Sequence, residues 1–123
     1  MKIFIDTSVL SDFKLPEVAD EIVKRRLGGD EFYLSAITHF QVLWGYSSAG
    51  LSAEKYERLL EVTEMGIAPV NRLDSEEAAR MKPKRGDLLD ALIAACVKRH
   101  DANIWTSDKD FLKFLPKART RLV

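Results

Sequence analysis

Four acidic residues in this chain have the type and the positions that favour binding of a divalent metal ion. Asp6 closes a short apolar run, Asp90 opens another, and Asp108 and Asp110 lie within the polar segment 106–111. Carboxylate oxygens are the ligands that Mg²⁺ and Mn²⁺ prefer. A bound cation can lower the pKa of a water molecule and orient a phosphodiester. The four acids therefore point to a metal site that performs hydrolysis.

Each acidic segment also has a simpler structural interpretation. A helix cap explains Asp6 alone, a helix dipole explains Asp87 and Asp90, and a turn explains Asp108. The combination favours a shared site, because three separate caps have no reason to fall where three elements reach the same edge of a sheet.

Short apolar runs alternate with amphipathic helical patterns along the chain. Strands are predicted at 3–5, 32–34, 66–70, 103–106 and 121–123. Helices are predicted after Thr7 or Ser8, over 16–27, from Ser35 or Thr38 to about Gly45, over 52–65, from Asp74 or Ser75 to Met81, over 87–99 and over 109–114. This alternation predicts an α/β fold whose mainly parallel sheet has helices on both faces.

The predicted elements direct the acids towards one rim of the sheet. Asp6 and Asp108 each follow a strand, and ligand crevices of open parallel sheets lie beyond the carboxyl ends of the strands. Asp87 and Asp90 are three residues apart and share a face near the start of their helix. Hydroxyl residues that suit a phosphate or the support of metal ligands accompany them: Thr7, Ser8, Thr106 and Ser107.

Length and composition limit the class of the chain. With 123 residues, 46% of them apolar and 31% charged, we expect a single globular domain over 1–123. The longest apolar stretch, 91–97, is far shorter than the ~20 residues of a membrane-spanning helix. An acid at position 6 falls too early for a signal peptide, and the lone Cys96 cannot form an internal disulfide. We therefore expect a cytoplasmic protein without a membrane anchor.

Charge is balanced overall but clustered locally. Lys plus Arg and Asp plus Glu both number 19, which excludes the strong positive field of many nucleic-acid-binding proteins. Basic residues nevertheless cluster at 24–26, 82–85 and 117–121. A negative pocket in positive surroundings suits cleavage of a polyanion at a metal ion, although such clusters are also typical of solvated helix ends and loops.

Other chemistry has little support. His39 and His100 lack zinc spacing, and no glycine-rich phosphate loop is present. Aromatic residues are expected in the core, namely Tyr33, Phe40, Trp44 and Trp105. The helix over 87–99 is expected to face inward with Leu88, Leu89, Leu92, Ile93, Cys96 and Val97.

Four short motifs, spread from one end of the chain to the other, carry a resemblance to a known family. They are Ile5-Asp6-Thr7-Ser8-Val9-Leu10, the segment Ser35-Ala36-Ile37-Thr38 through Gly45, Asp90-Ala91-Leu92-Ile93-Ala94-Ala95, and Trp105-Thr106-Ser107-Asp108-Lys109-Asp110-Phe111. In this order they resemble the motifs of PIN-domain ribonucleases, and in length the chain is similar to the VapC-like toxins of toxin–antitoxin pairs.

The resemblance implies a metal-dependent endoribonuclease with a three-layer α/β/α fold and a twisted, mainly parallel sheet of about five short strands. It implies that Asp6, Asp90 and Asp108 hold Mg²⁺ or Mn²⁺ and activate water, while Asp110 assists catalysis. It also implies an RNA substrate, a homodimer, and a small antitoxin protein that blocks the site.

Position 41 departs from the family's pattern. Gln41 stands where the second motif normally carries a glutamate. An amide oxygen can ligate a hard cation but adds no charge, which predicts weaker metal binding or lower activity. Glu54 and Asp12 are candidates to compensate. The alternative function is a catalytically weakened PIN module that binds RNA or protein.

A phosphate-handling α/β domain is a third class to consider. A haloacid-dehalogenase-like phosphatase would carry a second aspartate two residues after Asp6, where this chain has Ser8. A receiver domain would carry an acidic pair before its phosphorylated aspartate and a lysine after a late strand, and neither pattern is evident. The absence of both patterns argues against this class.

Overall fold

Short runs of β-branched and aromatic residues form one parallel sheet in this computed structural model, which describes residues 1–11 and 14–123. Within those residues the strands are β1 (Lys2–Ile5), β2 (Glu31–Ser35), β3 (Gly66–Ala68), β4 (Asn103–Thr106) and β5 (Thr120–Leu122). They are ordered β3-β2-β1-β4-β5, and all neighbouring strands are parallel. The predicted parallel sheet of about five short strands is confirmed.

Helices connect the strands on both faces of this sheet. In the described part of the chain the α-helices are α1 (Leu15–Leu27), α2 (Ala36–Ser48), α3 (Glu54–Thr63), α4 (Arg72–Arg80) and α5 (Leu88–Arg99). Short 3₁₀ turns cover Thr7–Val9, Arg85–Asp87, Lys109–Lys113 and Lys117–Arg119. No helix in the ranges 1–11 and 14–123 is long and apolar enough to span a membrane.

The central strand divides its side chains between two cores. Because successive side chains of a strand point to opposite faces, Ile3 and Ile5 join the cluster that α1, α2 and α3 cover, whereas Phe4 joins the cluster beneath α5. Both clusters are almost completely shielded from solvent. The resulting layers of helices, sheet and helices confirm the three-layer α/β/α prediction.

Two predicted helix starts were wrong in detail. The first strand leads into a 3₁₀ turn rather than an α-helix, and Asp6 caps this turn by accepting a hydrogen bond from the Ser8 amide. Asn71, not Asp74 or Ser75, caps α4, since Asn71 and Asp74 form a reciprocal capping box. Ser35 caps α2 as one of the two predicted candidates.

The predicted burial of several large apolar residues was also wrong. Phe40 and Trp44 lie on α2 but are 62% and 63% exposed, and Leu88 and Leu89 are exposed at the start of α5. Trp105, in contrast, is buried as expected. Apolar residues occur on most sides of α2 and α5, so a periodic pattern does not indicate which side meets the sheet.

Candidate active site

The end of β1 places Asp6 at the carboxyl rim of the sheet. The chain runs outward from β1 to β2 and β3 on one side of the sheet and continues with β4 and β5 on the other side. A ligand crevice is therefore expected beyond the carboxyl ends of β1 and β4, where this direction reverses. The Asp6 amide donates a hydrogen bond to the Trp105 carbonyl at 2.9 Å, which continues the pairing of the two strands. Asp6 is only 6% exposed. The backbone thus holds this carboxylate inside the crevice.

Hydroxyl groups from two strand ends hold one oxygen of Asp6. Ser8 Oγ donates to Asp6 Oδ2 at 2.7 Å, and Thr106 Oγ1 donates to the same oxygen at 2.9 Å. The Ser107 amide donates to Ser8 Oγ at 2.9 Å. Oδ1 of Asp6 accepts no hydrogen bond from the described residues. One oxygen therefore fixes the carboxylate while the other stays available.

The same network reaches Asp108 and Asp110 through Thr106. The Asp108 amide donates to Thr106 Oγ1 at 2.9 Å, and the Asp110 amide donates to Asp108 Oδ1 at 2.8 Å. Asp108 thereby caps the 3₁₀ turn that follows β4. The loop after β4 and the loop after β1 are thus joined by side chains that the sequence analysis had singled out.

Asp90 enters the site from the first turn of α5. Nothing in residues 1–11 and 14–123 donates a hydrogen bond to its carboxylate or pairs with it. Partial burial, followed by repulsion from nearby carboxylates, raises the pKa of Asp90 to about 6. The repelling groups are Asp6, Asp108, Asp87 and Asp110, in decreasing order. The structure therefore brings all the predicted acids into one electrostatic neighbourhood.

The acids share a field without forming a closed coordination shell. No group of three or more His, Cys, Asp or Glu side chains stands close enough to hold a metal ion within the described residues. The donor set nevertheless fits Mg²⁺ or Mn²⁺, because it consists of hard carboxylate oxygens, some without partners, whose mutual repulsion a cation would relieve.

Gln41 meets the site through Thr7. Thr7 Oγ1 donates a hydrogen bond to Gln41 Oε1 at 2.8 Å, which ties the turn after β1 to the middle of α2. The amide nitrogen of Gln41 has no partner among residues 1–11 and 14–123. The group that Gln41 leaves for a ligand is thus a donor, which binds oxygen acceptors rather than cations.

Two lysines near the acids were not anticipated. Lys113 Nζ lies 3.3 Å from Asp87 Oδ2 and 3.2 Å from Asp110 Oδ1, so it partly neutralises the rim. Its spacing of three residues from Asp110 is a helical signal that sequence reasoning could have used. Lys14 donates to Ser107 Oγ at 2.7 Å, and nothing in the sequence relates two residues that far apart.

The two candidates to compensate for Gln41 do not join this site. Glu54 begins α3, is largely exposed and pairs with Arg58. No hydrogen bond or ion pair within the described residues links Glu54 to the acids. Asp12 lies outside the described residues.

Comparison with known proteins agrees with the fold and the motifs. Residues 3–114 match the PIN domain family, which covers most of the chain. The chain belongs to the PIN-domain family. PIN domains are generally nucleases, which supports an enzymatic role. Among curated protein sequences, none matches the chain significantly.

Solved structures share the fold of this PIN domain over nearly its full length. A chain of VapBC2 from Rickettsia felis, crystallised with a DNA fragment from its promoter, has a TM-score of 0.71 at 17% identity, and the match covers 100% of this chain and 98% of that one. VapBC-1 from nontypeable Haemophilus influenzae gives a TM-score of 0.71 at 15% identity, with 99% and 98% covered.

A third similar structure is VapBC-5 from Mycobacterium tuberculosis, a member of the VapBC family of toxin–antitoxin systems. Its TM-score is 0.65 at 21% identity, and the match covers 99% of this chain and 97% of that chain. These similarities concern the fold. They confirm the resemblance to PIN domains that the four motifs carry.

Proposed function

We propose that this PIN domain is a metal-dependent endoribonuclease that hydrolyses RNA phosphodiester bonds. The observation that carries the proposal is Asp90, a half-buried carboxylate with no described partner, whose pKa is raised by burial and by the surrounding acids. Acids that stabilise only structure are normally paired, whereas uncompensated clusters with shifted pKa values are typical of functional sites. A divalent cation is the neutralising group that such a cluster favours.

In this proposal the cation is Mg²⁺ or Mn²⁺, and its ligands are Asp6, Asp90 and Asp108. When bound, the metal lowers the pKa of a water molecule and stabilises charge on the phosphate. Ser8 and Thr106 orient Asp6 through hydrogen bonds to one of its oxygens. Asp110, which contacts Lys113, accepts a proton or orients the water.

The basic loop before α5 supports RNA as the substrate. Lys82, Lys84 and Arg85 are exposed, and none of them forms an ion pair with any described residue. The other basic clusters are largely paired: Arg25 with Asp30, Arg26 with Glu64, Arg119 with Asp101, and Arg121 with Glu21. The unpaired cations directly precede Asp87 and Asp90, where they can contact the phosphates of a polyanion.

Cleavage of a mixed RNA pool tests the proposal. We expect cleavage that requires Mg²⁺ or Mn²⁺, and at least a roughly hundredfold loss of rate for Asp6→Asn, which keeps the shape but removes the charge. Asp101→Asn is the matched control, because Asp101 follows the other end of α5, beyond the rim. Cleavage that persists in chelator, or equal rates for the two variants, would overturn the proposal.

An antitoxin partner and a homodimer belong to the same proposal. The similar solved structures include VapBC complexes. In this chain α1 and α3 form an apolar groove of about 340 Å³, which is lined by Leu15, Val23 and Val62 and flanked by Lys55 and Arg58. An acidic amphipathic segment suits this groove. We expect a cytoplasmic pair in which the partner inhibits cleavage.

This partner interaction can be tested with the product of an adjacent short reading frame. Val62→Asp should abolish inhibition by that product, whereas Leu73→Asp, an equally exposed apolar position on α4, should preserve it. Inhibition that is unaffected by Val62→Asp would reject the groove as the binding site. Light scattering of the isolated chain tests the homodimer, and a monomer at all concentrations would reject it.

A weakened module that binds RNA or protein is the alternative function. It is favoured by Gln41, which replaces a negative charge with an amide whose oxygen already accepts the hydrogen bond from Thr7. RNA binding without metal-dependent cleavage would select this alternative. Restored cleavage by Gln41→Glu would then identify the missing charge as the reason.

A further inference from the structure

A shallow cavity of about 280 Å³ lies between the turn after β1 and the C-terminal half of α2. It is lined on one edge by the polar residues Thr7, Ser11 and Gln41 and on its floor by Leu10 and Val42. Its size is close to the lower limit of about 300 Å³ for pockets that bind small organic groups. The cavity thus combines a polar edge with an apolar floor.

Gly45 keeps this cavity open. Glycine inside a helix is unfavourable relative to alanine, so its presence within α2 calls for an explanation. Close packing does not provide one, because a Cβ built on Gly45 meets no atom within 4 Å. Gly45 lines the cavity, and any larger side chain at this position would occupy the space above its floor.

The cavity adjoins the acidic site at Thr7 but differs from it in charge. Thr7, which lines the cavity, follows Asp6 directly and is bonded to Gln41. The lining residues that the structure describes carry no charge. A phosphate near Asp6 would therefore have beside it a partly apolar pocket to which the described lining residues add no charge.

We propose that this cavity is a nucleobase pocket that holds a base next to the scissile phosphate of a single-stranded RNA. This inference rests on the proposed ribonuclease function and deepens it. A base has apolar faces and a polar edge, which match Leu10 and Val42 on the floor and Thr7 and Gln41 on the rim. The unpartnered amide nitrogen of Gln41 donates to an acceptor of the base.

This assignment gives Gln41 a direct role in binding the base. A glutamate at position 41 presents only acceptors when ionised, whereas the amide presents a donor and does not repel the neighbouring phosphate. The base reaches the pocket only from a single strand, because a base within a duplex is stacked and paired. The pocket therefore favours loops, bulges and ends of RNA.

Filling the pocket tests the inference. Binding of a short, mixed-sequence single-stranded RNA is measured by fluorescence anisotropy in chelator, where no cleavage occurs. Gly45→Leu should weaken binding about tenfold, the loss expected when one stacked base is displaced. Ser47→Leu adds the same side chain to an exposed position of α2 outside the cavity and should change binding less than about twofold.

An abasic RNA of the same length separates base contacts from phosphate contacts. The unaltered chain and Gly45→Leu should bind it equally, since it offers no base to the pocket. Gly45→Ala, which adds only a methyl group, should retain most binding of the normal RNA. A Gly45→Leu variant that binds normal RNA as tightly as the unaltered chain would overturn the inference and leave the cavity to a protein segment.

The two proposals fail separately. If metal-dependent cleavage is absent but Gly45→Leu still weakens RNA binding, the ribonuclease proposal fails and the pocket remains. If cleavage is robust and Gly45→Leu binds and cleaves RNA normally, the pocket fails and the ribonuclease proposal remains. A chain that binds no RNA in either assay overturns both.

Discussion

Two aspartates near α5 experience opposite surroundings. Asp74 is 1% exposed and accepts hydrogen bonds from Arg99 at 2.7 and 3.1 Å and from the Asn71 amide at 3.1 Å. Asp90, at the other end of α5, has no described partner and faces further carboxylates. The same residue type is thus fully satisfied in one place and left uncompensated in the other.

The difference separates a structural site from a functional one. The Asp74 bonds raise the pKa of Arg99 and join α4 to the end of α5, so both charges are retained to hold helices together. Asp90 opposes folding while it is ionised, because burial and the surrounding acids raise its pKa to about 6. A fold tolerates such a cost where ligand binding offsets it.

The largest expected effect is a loss of stability when Asp74, the fully hydrogen-bonded aspartate, loses its partner. Arg99→Met leaves Asp74 buried without its cation, which should lower the free energy of unfolding by about 3 kcal/mol. Urea denaturation measures the change. Arg72→Met, which breaks the exposed pair with Glu76, is the control and should cost at most about 0.5 kcal/mol. Equal losses in the two variants would remove the distinction between these pairs.

Adding a negative charge to the acidic cluster around Asp90 should strengthen metal binding. Gln41→Glu supplies another carboxylate next to Thr7, and we expect about tenfold tighter Mn²⁺ binding by calorimetry. Asn103→Asp adds the same charge at the start of β4, at the opposite edge of the sheet, and should leave the affinity unchanged. Unchanged affinity in Gln41→Glu would reject the argument that charge limits binding.

Removing a charge from the cluster should stabilise the metal-free protein. Since the pKa of Asp90 is raised from its usual 3.8 to about 6, its ionisation opposes folding above that pH. Asp90→Asn should therefore gain about 1 kcal/mol at pH 8 in chelator, a value reduced because the group is half-exposed. The gain should vanish below about pH 4, where Asp90 is protonated in both states.

Chemical denaturation at the two pH values measures this difference. Asp101→Asn, on the other side of the molecule, should show no comparable gain at pH 8. A destabilised Asp90→Asn at pH 8 would mean that this carboxylate has a stabilising partner, as Asp74 does.

The smallest effect is expected for Lys113, the positively charged side chain beside the acids. Lys113 contacts both Asp87 and Asp110, so Lys113→Met leaves more negative charge on the rim. We expect Mn²⁺ affinity to rise about twofold, because the lysine is exposed and its influence is screened by solvent. A weaker Mn²⁺ affinity would indicate that Lys113 orients the acids rather than compensating them.

Local sequence patterns predicted the positions of helices and strands better than they predicted which side of each helix is buried. Strand alternation, the Ser35 cap of α2 and the position of Pro16 in the first turn of α1 reflect short-range chemistry that the sequence contains. Phe40 and Trp44 were misplaced because the side of a helix that meets the sheet depends on tertiary packing. The exposed helix face is therefore information that only the folded chain supplies.

The candidate site shows the same division between local and distant information. Asp6, Asp90 and Asp108 could be singled out because each lies at the end of an element. The contact of Lys14 with Ser107 and that of Thr7 with Gln41 depend on how separate loops meet, and no periodicity relates those residues. The open position at Gly45 is likewise visible only when the opposite wall of its cavity is in place.

The pairing of β1 with β4 has a consequence for how the protein is made. Thr106 and Asp6 are joined by a hydrogen bond although they lie 100 residues apart, and the strand that carries Thr106 leaves the ribosome long after Asp6. Asp6 and Gln41 are synthesised long before Asp108. A nascent chain therefore cannot bring these acids together until the residues through Asp108 have left the ribosome, so the proposed metal site assembles long after Asp6 has been synthesised.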